Sequence, residues 1–132
     1  MKRIAFLAAL SAFVVALLGI PALAGGSDPR IELTSSNTSL ASSAGPSHGD
    51  SVSFTVTNAR TSRPEVRLVC GRDAAYYPPS QAVLDKTLPY YGDGPRAFVL
   101  SSDAWTSGGN TCVAWLMRKG EPEVGTLFWV NG

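Results

Sequence analysis

The two cysteines, Cys70 and Cys112, are the residues of this 132-residue chain best suited to covalent chemistry. In an exported protein, two cysteines usually form one disulfide bond. In the chain-entropy model, a bond that closes the long loop between Cys70 and Cys112 stabilises the fold by roughly 4 kcal/mol. The alternative is a catalytic thiol, which needs a basic partner. The only histidine, His48, lies in a loop rich in Ser, Gly and Pro, so we expect the disulfide.

Other catalytic groups are sparse in the sequence. It has no Gly-x-Ser-x-Gly motif, and a single histidine makes a Ser/His/acid triad improbable. A zinc site needs several Cys or His ligands, and the acids do not form the D-x-D-x-D-G pattern of a calcium loop. Spacing alone leaves a carboxylate pair for glycoside hydrolysis open. We therefore predict a protein that is not an enzyme, with no metal and no cofactor.

The N-terminus has the layout of a secretory signal peptide. Three residues that include Lys2 and Arg3 precede an uncharged apolar run over residues 4–20, and Ala22-Leu23-Ala24 forms a small-x-small cleavage site. The alternative is an uncleaved membrane anchor, although this run would span only about 25 Å as a helix. We predict a signal peptide at residues 1–24 and a secreted, extracellular domain at residues 25–132.

The charge of the predicted mature domain is close to balanced. Loss of Lys2 and Arg3 leaves nine basic residues against ten acidic ones, a formal net charge of −1. This balance gives no support for binding nucleic acid or anionic lipid. We expect contact with a membrane only if the signal segment stays uncleaved.

The domain has the pattern of short strands separated by turns. In "SVSFTVTN", apolar Val52, Phe54 and Val56 alternate with polar residues, which is typical of a strand with one buried face. No segment after residue 24 has helical periodicity. About seven strands at intervals of about ten residues predict an antiparallel two-sheet sandwich. The clearest candidates are residues 30–34, 51–58, 64–71, 96–101, 111–118 and 124–131.

Three segments, "GDSVSFTV", "PEVRLVCG" and "AFVLSSDAWTSGGNTCVAWL", resemble the small immunoglobulin-like or fibronectin type III-like domains of secreted actinobacterial and phage proteins. The resemblance covers about residues 29–131. It implies an all-β, immunoglobulin-like sandwich whose cysteines join the third and sixth strands within one sheet. Antibody domains differ, because their disulfide joins the second and sixth strands, and they have a tyrosine where this chain has Asn110. The resemblance implies binding or spacing and no catalytic residues.

The same alternation predicts an apolar outer face on the sheet that holds the cysteines. If the disulfide faces the core, Val66, Leu68, Ala114 and Leu116 also face it. The opposite face of the sheet then carries several large apolar side chains. A contiguous apolar surface, and tryptophan in particular, is typical of a binding surface. Its predicted members are Trp115 and Met117, joined by Leu127 and Trp129 if Phe128 and Val130 of the last strand face the core, a register that the sequence leaves open.

Two Tyr-Tyr pairs flank the connector between residues 74 and 95, which we expect along an edge of that sheet. Tyr76, Tyr77, Tyr90 and Tyr91 could extend the aromatic face sideways. Alternatively, they cap the core with their hydroxyls in water, while nearby prolines protect the edge from other strands. The remaining tryptophan, Trp105, we assign to the core.

The sequence thus predicts a secreted, non-catalytic interaction domain that binds through an aromatic sheet face. The partner could be another protein, a second copy of the chain or a glycan stacked on tryptophan. A structural spacer module without a dedicated ligand is one alternative. A secreted enzyme inhibitor that presents the "YYPPS" or "PYYGDGP" loop is another.

Overall fold

Seven antiparallel strands build the protein in the computed structural model, which describes residues 28–36 and 45–132. The predicted signal peptide lies outside these residues. The strands are β1 (Arg30–Ser36), β2 (Ser51–Thr57), β3 (Glu65–Gly71), β4 (Ala82–Pro89), β5 (Phe98–Val99), β6 (Asn110–Arg118) and β7 (Glu121–Val130).

The strands form two sheets, which confirms the predicted sandwich. One has the order β1-β2-β5 and the other the order β4-β3-β6-β7. The chain changes sheet between β2 and β3, between β4 and β5, and again between β5 and β6. Three strands facing four is an arrangement of the immunoglobulin-like type. No helix in the described part of the chain combines the length and the apolar character needed to cross a membrane.

The disulfide between Cys70 and Cys112 is present, and it joins β3 to β6 as neighbouring strands. Both cysteines are fully buried, and their inward neighbours on the two strands are buried with them. The alternation on either side of each cysteine therefore predicts the core face of this sheet correctly. These inward residues are Val66, Leu68, Ala114 and Leu116.

The core lies between the sheets and is rich in aromatic rings. Phe98 is completely buried, with its ring centroid 5.8 Å from that of Phe54 and 6.3 Å from that of Tyr90. Trp105 is also in the core, as predicted, and its Nε1 donates to the Gly108 carbonyl at 2.9 Å. The short β5 replaces the longer predicted strand over residues 96–101.

The sequence does not predict the strand β4, because residues 74–95 have the pattern of one connector. It pairs with β3 as the edge of the four-stranded sheet, so the expected edge position is right although its regular structure was not foreseen. Its side chains are only half-buried or exposed, and a register shift breaks the alternation near Gly71. A weak period of two is typical of such an edge.

A tight hairpin joins β6 to β7. Arg118 pairs with Glu121, and the two residues between them, Lys119 and Gly120, have φ angles of 53° and 78°. Positive φ at both central positions is the mark of a type I′ turn, whose twist matches that of the flanking strands. The hairpin therefore fixes the register of β7, and so decides which of its side chains reach solvent.

Tyr90 lies in the core, which corrects its assignment to an outer aromatic face. Its hydroxyl accepts a hydrogen bond from the Phe54 amide at 3.2 Å and donates one to the Arg96 carbonyl at 2.5 Å. The hydroxyl thus ties the two sheets together across a buried contact. Tyr90→Phe removes both bonds and leaves two backbone groups unpaired, so we expect the free energy of unfolding at pH 7 to fall by about 1–3 kcal/mol.

The pH dependence gives this prediction a second readout. Burial raises the pKa of the Tyr90 hydroxyl above its ordinary value. Its stabilising contribution is therefore complete below about pH 10 and is lost as the pH rises through the folded-state pKa. Urea unfolding should show a smaller alkaline loss of stability in Tyr90→Phe than in the wild type. The exposed neighbour provides the control, because Tyr91→Phe should behave like the wild type. An equal alkaline loss in all three proteins would contradict this account.

Candidate functional site

The outer face of the four-stranded sheet carries the residues that the sequence singled out. Side chains of directly paired residues lie on the same face of an antiparallel sheet. The register of β6 on β7 therefore places a row of apolar groups side by side on this face. The pairs are Thr111 with Trp129, Val113 with Leu127, and Trp115 with Gly125.

Leu127 and Trp129 are the exposed members of this row. Leu127 is 62% exposed and Trp129 is 54% exposed, while Phe128 and Val130 face the core. The last strand thus has the register on which the outer position of Leu127 and Trp129 depends. We call Trp115, Leu127 and Trp129 the β6–β7 strip.

Met117 does not belong to the strip, and its prediction as an exposed residue is wrong. It is only 6% exposed. The register of β6 on β7 shifts between Leu116 and Met117, so the simple alternation of the outer face ends there. A bulge of this kind re-aims the side chains next to it.

A segment that folds over the sheet covers another part of the outer face. Ala74 packs on Val69 and Val113, and all three are buried in a second, smaller cluster. The loop is held in shape by the Asp73 carboxylate, which accepts hydrogen bonds from the Ser80 hydroxyl at 2.8 Å and the Gln81 amide at 3.1 Å. Hydrogen bonds from Ser80 in particular lower the pKa of Asp73. The sequence gives no sign of this cover, because it depends on contacts between distant segments.

Trp115 is the member of the strip that lies on β6, and it is half-buried. Its ring lies over Gly125, where a Cβ atom would come within 2.6 Å of Trp115 Cε3. On its other side Tyr77 approaches edge-on, with 6.2 Å between the ring centroids. The buried Nε1 of Trp115 has no hydrogen-bond partner within the described residues. A lone glycine within a strand is typical of such a close approach, so Gly125 is the signal in the sequence that indicates this contact.

A polar cluster borders the strip on the side of β3 and β4. Arg67 donates to both carboxylate oxygens of Asp85, at 2.8 and 2.6 Å, and to the Tyr77 hydroxyl at 2.8 Å. The hydrogen bonds with Asp85 raise the pKa of the Arg67 guanidinium further above its ordinary value. A guanidinium that makes a two-point contact with a carboxylate is held in one geometry. This cluster therefore fixes Tyr77, which in turn packs on Trp115.

The four tyrosines do not act as one surface. Tyr77 joins the aromatic face beside Trp115, whereas Tyr90 lies in the core. Tyr76 is the most exposed large apolar residue, at 72%, and Tyr91 is partly exposed. The sequence hypothesis of a continuous aromatic surface therefore holds for Tyr77 and is wrong for Tyr90.

His48 has a structural environment in the described part of the chain. Its Nε2 lies 2.9 Å from the Trp105 carbonyl oxygen, and its ring meets the Trp105 ring at a centroid distance of 5.1 Å. Among residues 28–36 and 45–132, His, Cys, Asp and Glu side chains form no cluster of three that could hold a metal ion. The cysteines are joined in the disulfide, so neither is a free thiol.

Comparisons of the chain with known protein families, with curated proteins and with solved structures gave no match.

Proposed function

We propose that the protein is an exported, non-catalytic interaction domain that binds a partner protein through the β6–β7 strip. The observation that carries this proposal is the side-by-side exposure of Leu127 and Trp129 on the outer face of the sheet. Among the possible partners we propose a protein, because the strip is an exposed surface of the sheet with apolar side chains at its centre. An exposed apolar surface of this kind is suited to binding another protein.

Removal of the apolar side chains of the β6–β7 strip from water would favour binding of a partner. Apolar area removed from water contributes about 25 cal/mol per Å², and neighbouring Trp and Leu side chains supply a compact apolar patch. Tryptophan is also among the residues that most often dominate binding energy. Trp115 lies next to them as a wall that is already ordered by Tyr77 and Gly125, so little further ordering is needed on binding.

Export is the second part of the proposal. It is supported by the predicted leader at residues 1–24 and by the disulfide, which persists in oxidising compartments. Fractionation of the producing cell, with a mass measurement of the protein's N-terminus, tests it. We expect the protein outside the cytoplasm with its N-terminus at Gly25. A protein that stays in the cytoplasm with residues 1–24 attached would contradict export.

Site-specific photo-crosslinking in the producing cell tests the binding role. With p-benzoylphenylalanine in place of Trp129, we expect a discrete covalent adduct to one protein. Val99 is the matched control, because it is 51% exposed on β5 of the other sheet. The same photoreactive residue there should give no discrete adduct. Adding Leu127→Ser to the position-129 variant should lower the adduct yield.

Two results would contradict the binding role. Equal, diffuse adducts from positions 129 and 99 would leave a spacer module without a dedicated ligand. An adduct with the mass of a carbohydrate would replace the protein partner with a glycan.

A further inference from the structure

We infer that the partner is a second copy of this chain, which pairs its β7 antiparallel with β7 of the first copy to give a continuous eight-stranded sheet. This inference rests on the proposed function, because it names the partner that contacts Leu127, one of the two exposed residues of the β6–β7 strip. It follows from the backbone of β7, from the charges on the strand edges and from the spacing of Gly125 and Leu127.

The first observation is a backbone edge of β7 that no described residue occupies between Val124 and Phe128. At Asn131 the edge is already occupied, because the Asn131 amide donates to the Pro46 carbonyl at 2.9 Å and its carbonyl accepts from the His48 amide at 2.7 Å. The Asn131 backbone therefore points away from β6. In an antiparallel ladder every second residue points the same way, so the backbones of Leu127 and Gly125 also face outward.

The open stretch has defined ends. The segment of residues 46–48 covers the edge at one end. At the other end Pro122 has no amide hydrogen to donate, and the register shift at Met117 interrupts the ladder. Within residues 28–36 and 45–132, the stretch of this edge that remains without a partner is Val124 to Phe128, which offers the outward amides and carbonyls of Gly125 and Leu127.

The second observation concerns protection of the edges. Strand edges that must stay unpaired usually carry charges or are very short. Of the four edge strands described, β1 exposes Arg30 and Glu32, β4 exposes Asp85 and Lys86, and β5 has only two residues. The charges of β7 are confined to its beginning, at Glu121 and Glu123, so residues 124–128 carry none.

The third observation is that this stretch is complementary to itself. If two copies pair about a two-fold axis at Thr126, Gly125 of each copy lies opposite Leu127 of the other. In such a pair the two residues exchange both of their backbone hydrogen bonds. All the outward amides and carbonyls of both stretches are then satisfied, in four bonds. An interface that uses the same surface on both copies closes on itself as a dimer.

The side chains fit the same register. Residues opposite each other share a face, with Cβ positions about 4.5–5.5 Å apart. Leu127 therefore lies beside the bare Gly125 of the second copy, next to the Trp115 ring that covers that glycine. A larger residue at position 125 would occupy this space. The pairing thus buries the exposed Leu127 of each copy against Trp115 of the other.

Sedimentation equilibrium and light scattering test this inference on the exported, disulfide-bonded protein, between about 1 µM and 1 mM. We expect the mass to double across this range. Leu127→Lys should weaken the dimer by about a hundredfold or more, because it removes the apolar contact of Leu127 and the two-fold axis brings the two like charges together at the paired edges. Val99→Lys is the matched control and should dimerise like the wild type. At about 1 µM, where the monomer predominates, both variants should keep the wild-type urea midpoint, since both positions are exposed in the monomer.

Hydrogen exchange supplies a readout that reports on the edge itself. The amides of Gly125 and Leu127 should become more protected as the protein concentration rises, while the already bonded amide of Asn131 should not change. A wild-type protein that stays monomeric at about 1 mM, or a dimer that Leu127→Lys leaves intact, would overturn the inference.

The outcomes separate this inference from the proposed function. A monomer whose position 129 still crosslinks to a different protein overturns the second copy and leaves the proposed function standing. A monomer with no discrete crosslink overturns both. A doubled mass with a self-crosslink from position 129 supports both.

Discussion

Replacing both Cys70 and Cys112 with alanine is expected to lower the free energy of unfolding by about 4 kcal/mol. The disulfide spans a sequence separation of 42 residues. In the chain-entropy model, opening a loop of that length raises the conformational entropy of the unfolded chain and so lowers its free energy by about that much. Domains of this size are stable by only about 5–15 kcal/mol in total, so a large share would be lost.

Urea unfolding of the oxidised wild type, the reduced wild type and the double alanine variant measures this effect. The reduced protein and the variant should shift together, because both lack the bond. The outer face need not change, since both cysteines point into the core. A loss below about 1 kcal/mol in both would contradict the view that the bond acts mainly on the unfolded chain.

Phe98→Ala is expected to cost about 3–5 kcal/mol of unfolding free energy. Phe98 is completely buried, and its ring packs on those of Phe54 and Tyr90 between the sheets. Alanine would leave a cavity where three aromatic rings meet. Because β5 has only two residues, this side chain does most to attach the strand to the core.

The neighbouring residue provides a matched control for this prediction. Val99 is exposed on the same short strand, so Val99→Ala should change the free energy of unfolding by no more than about 0.5 kcal/mol. If Phe98→Ala prevents folding, Phe98→Leu should give a folded protein with a smaller loss. A loss from Phe98→Ala no greater than that from Val99→Ala would show that β5 is not anchored through this ring.

Local alternation explains the parts of the fold that the sequence predicts well. Val66, Leu68 and Cys70 on β3, and Phe128 and Val130 on β7, lie on the predicted side because a strand with one buried face has a period of two. The two cysteines then add one long-range constraint. Together these features favour an outer position for Trp115, whereas the outer position of Leu127 and Trp129 depends on the register of β7, which the sequence leaves open.

Contacts between distant segments explain what the sequence does not predict. Val69 and Val113 alternate outward, yet Ala74 covers them because its loop folds back over the sheet. The sequence around Tyr90 does not show that this residue is buried, because its hydroxyl is bonded to the Phe54 amide and the Arg96 carbonyl, which belong to other segments. The edge strand β4 has too weak an alternation to stand out from a connector.

For the candidate site too, the sequence predicts the features that depend on local alternation and not those that depend on contacts between distant segments. The sequence identifies Trp115, Leu127 and Trp129, because their alternation and apolar character are visible locally. It does not identify Gly125, Arg67 or Asp85, whose roles depend on which neighbours the register brings to them. In particular, Gly125 matters because Trp115 lies directly across from it on β6.

The central claim is that the register of β7 presents Trp129 to solvent while Trp105 stays in the core. Incorporation of 5-fluorotryptophan and ¹⁹F NMR of the dilute protein test it, with single Trp→Phe variants used only to assign the three resonances. The account predicts that the Trp129 resonance shifts between H₂O and D₂O, as an exposed ring does, and that the Trp105 resonance does not. A Trp129 resonance that is insensitive to the solvent in a proven monomer would contradict the account, because the β6–β7 strip would then have no exposed centre.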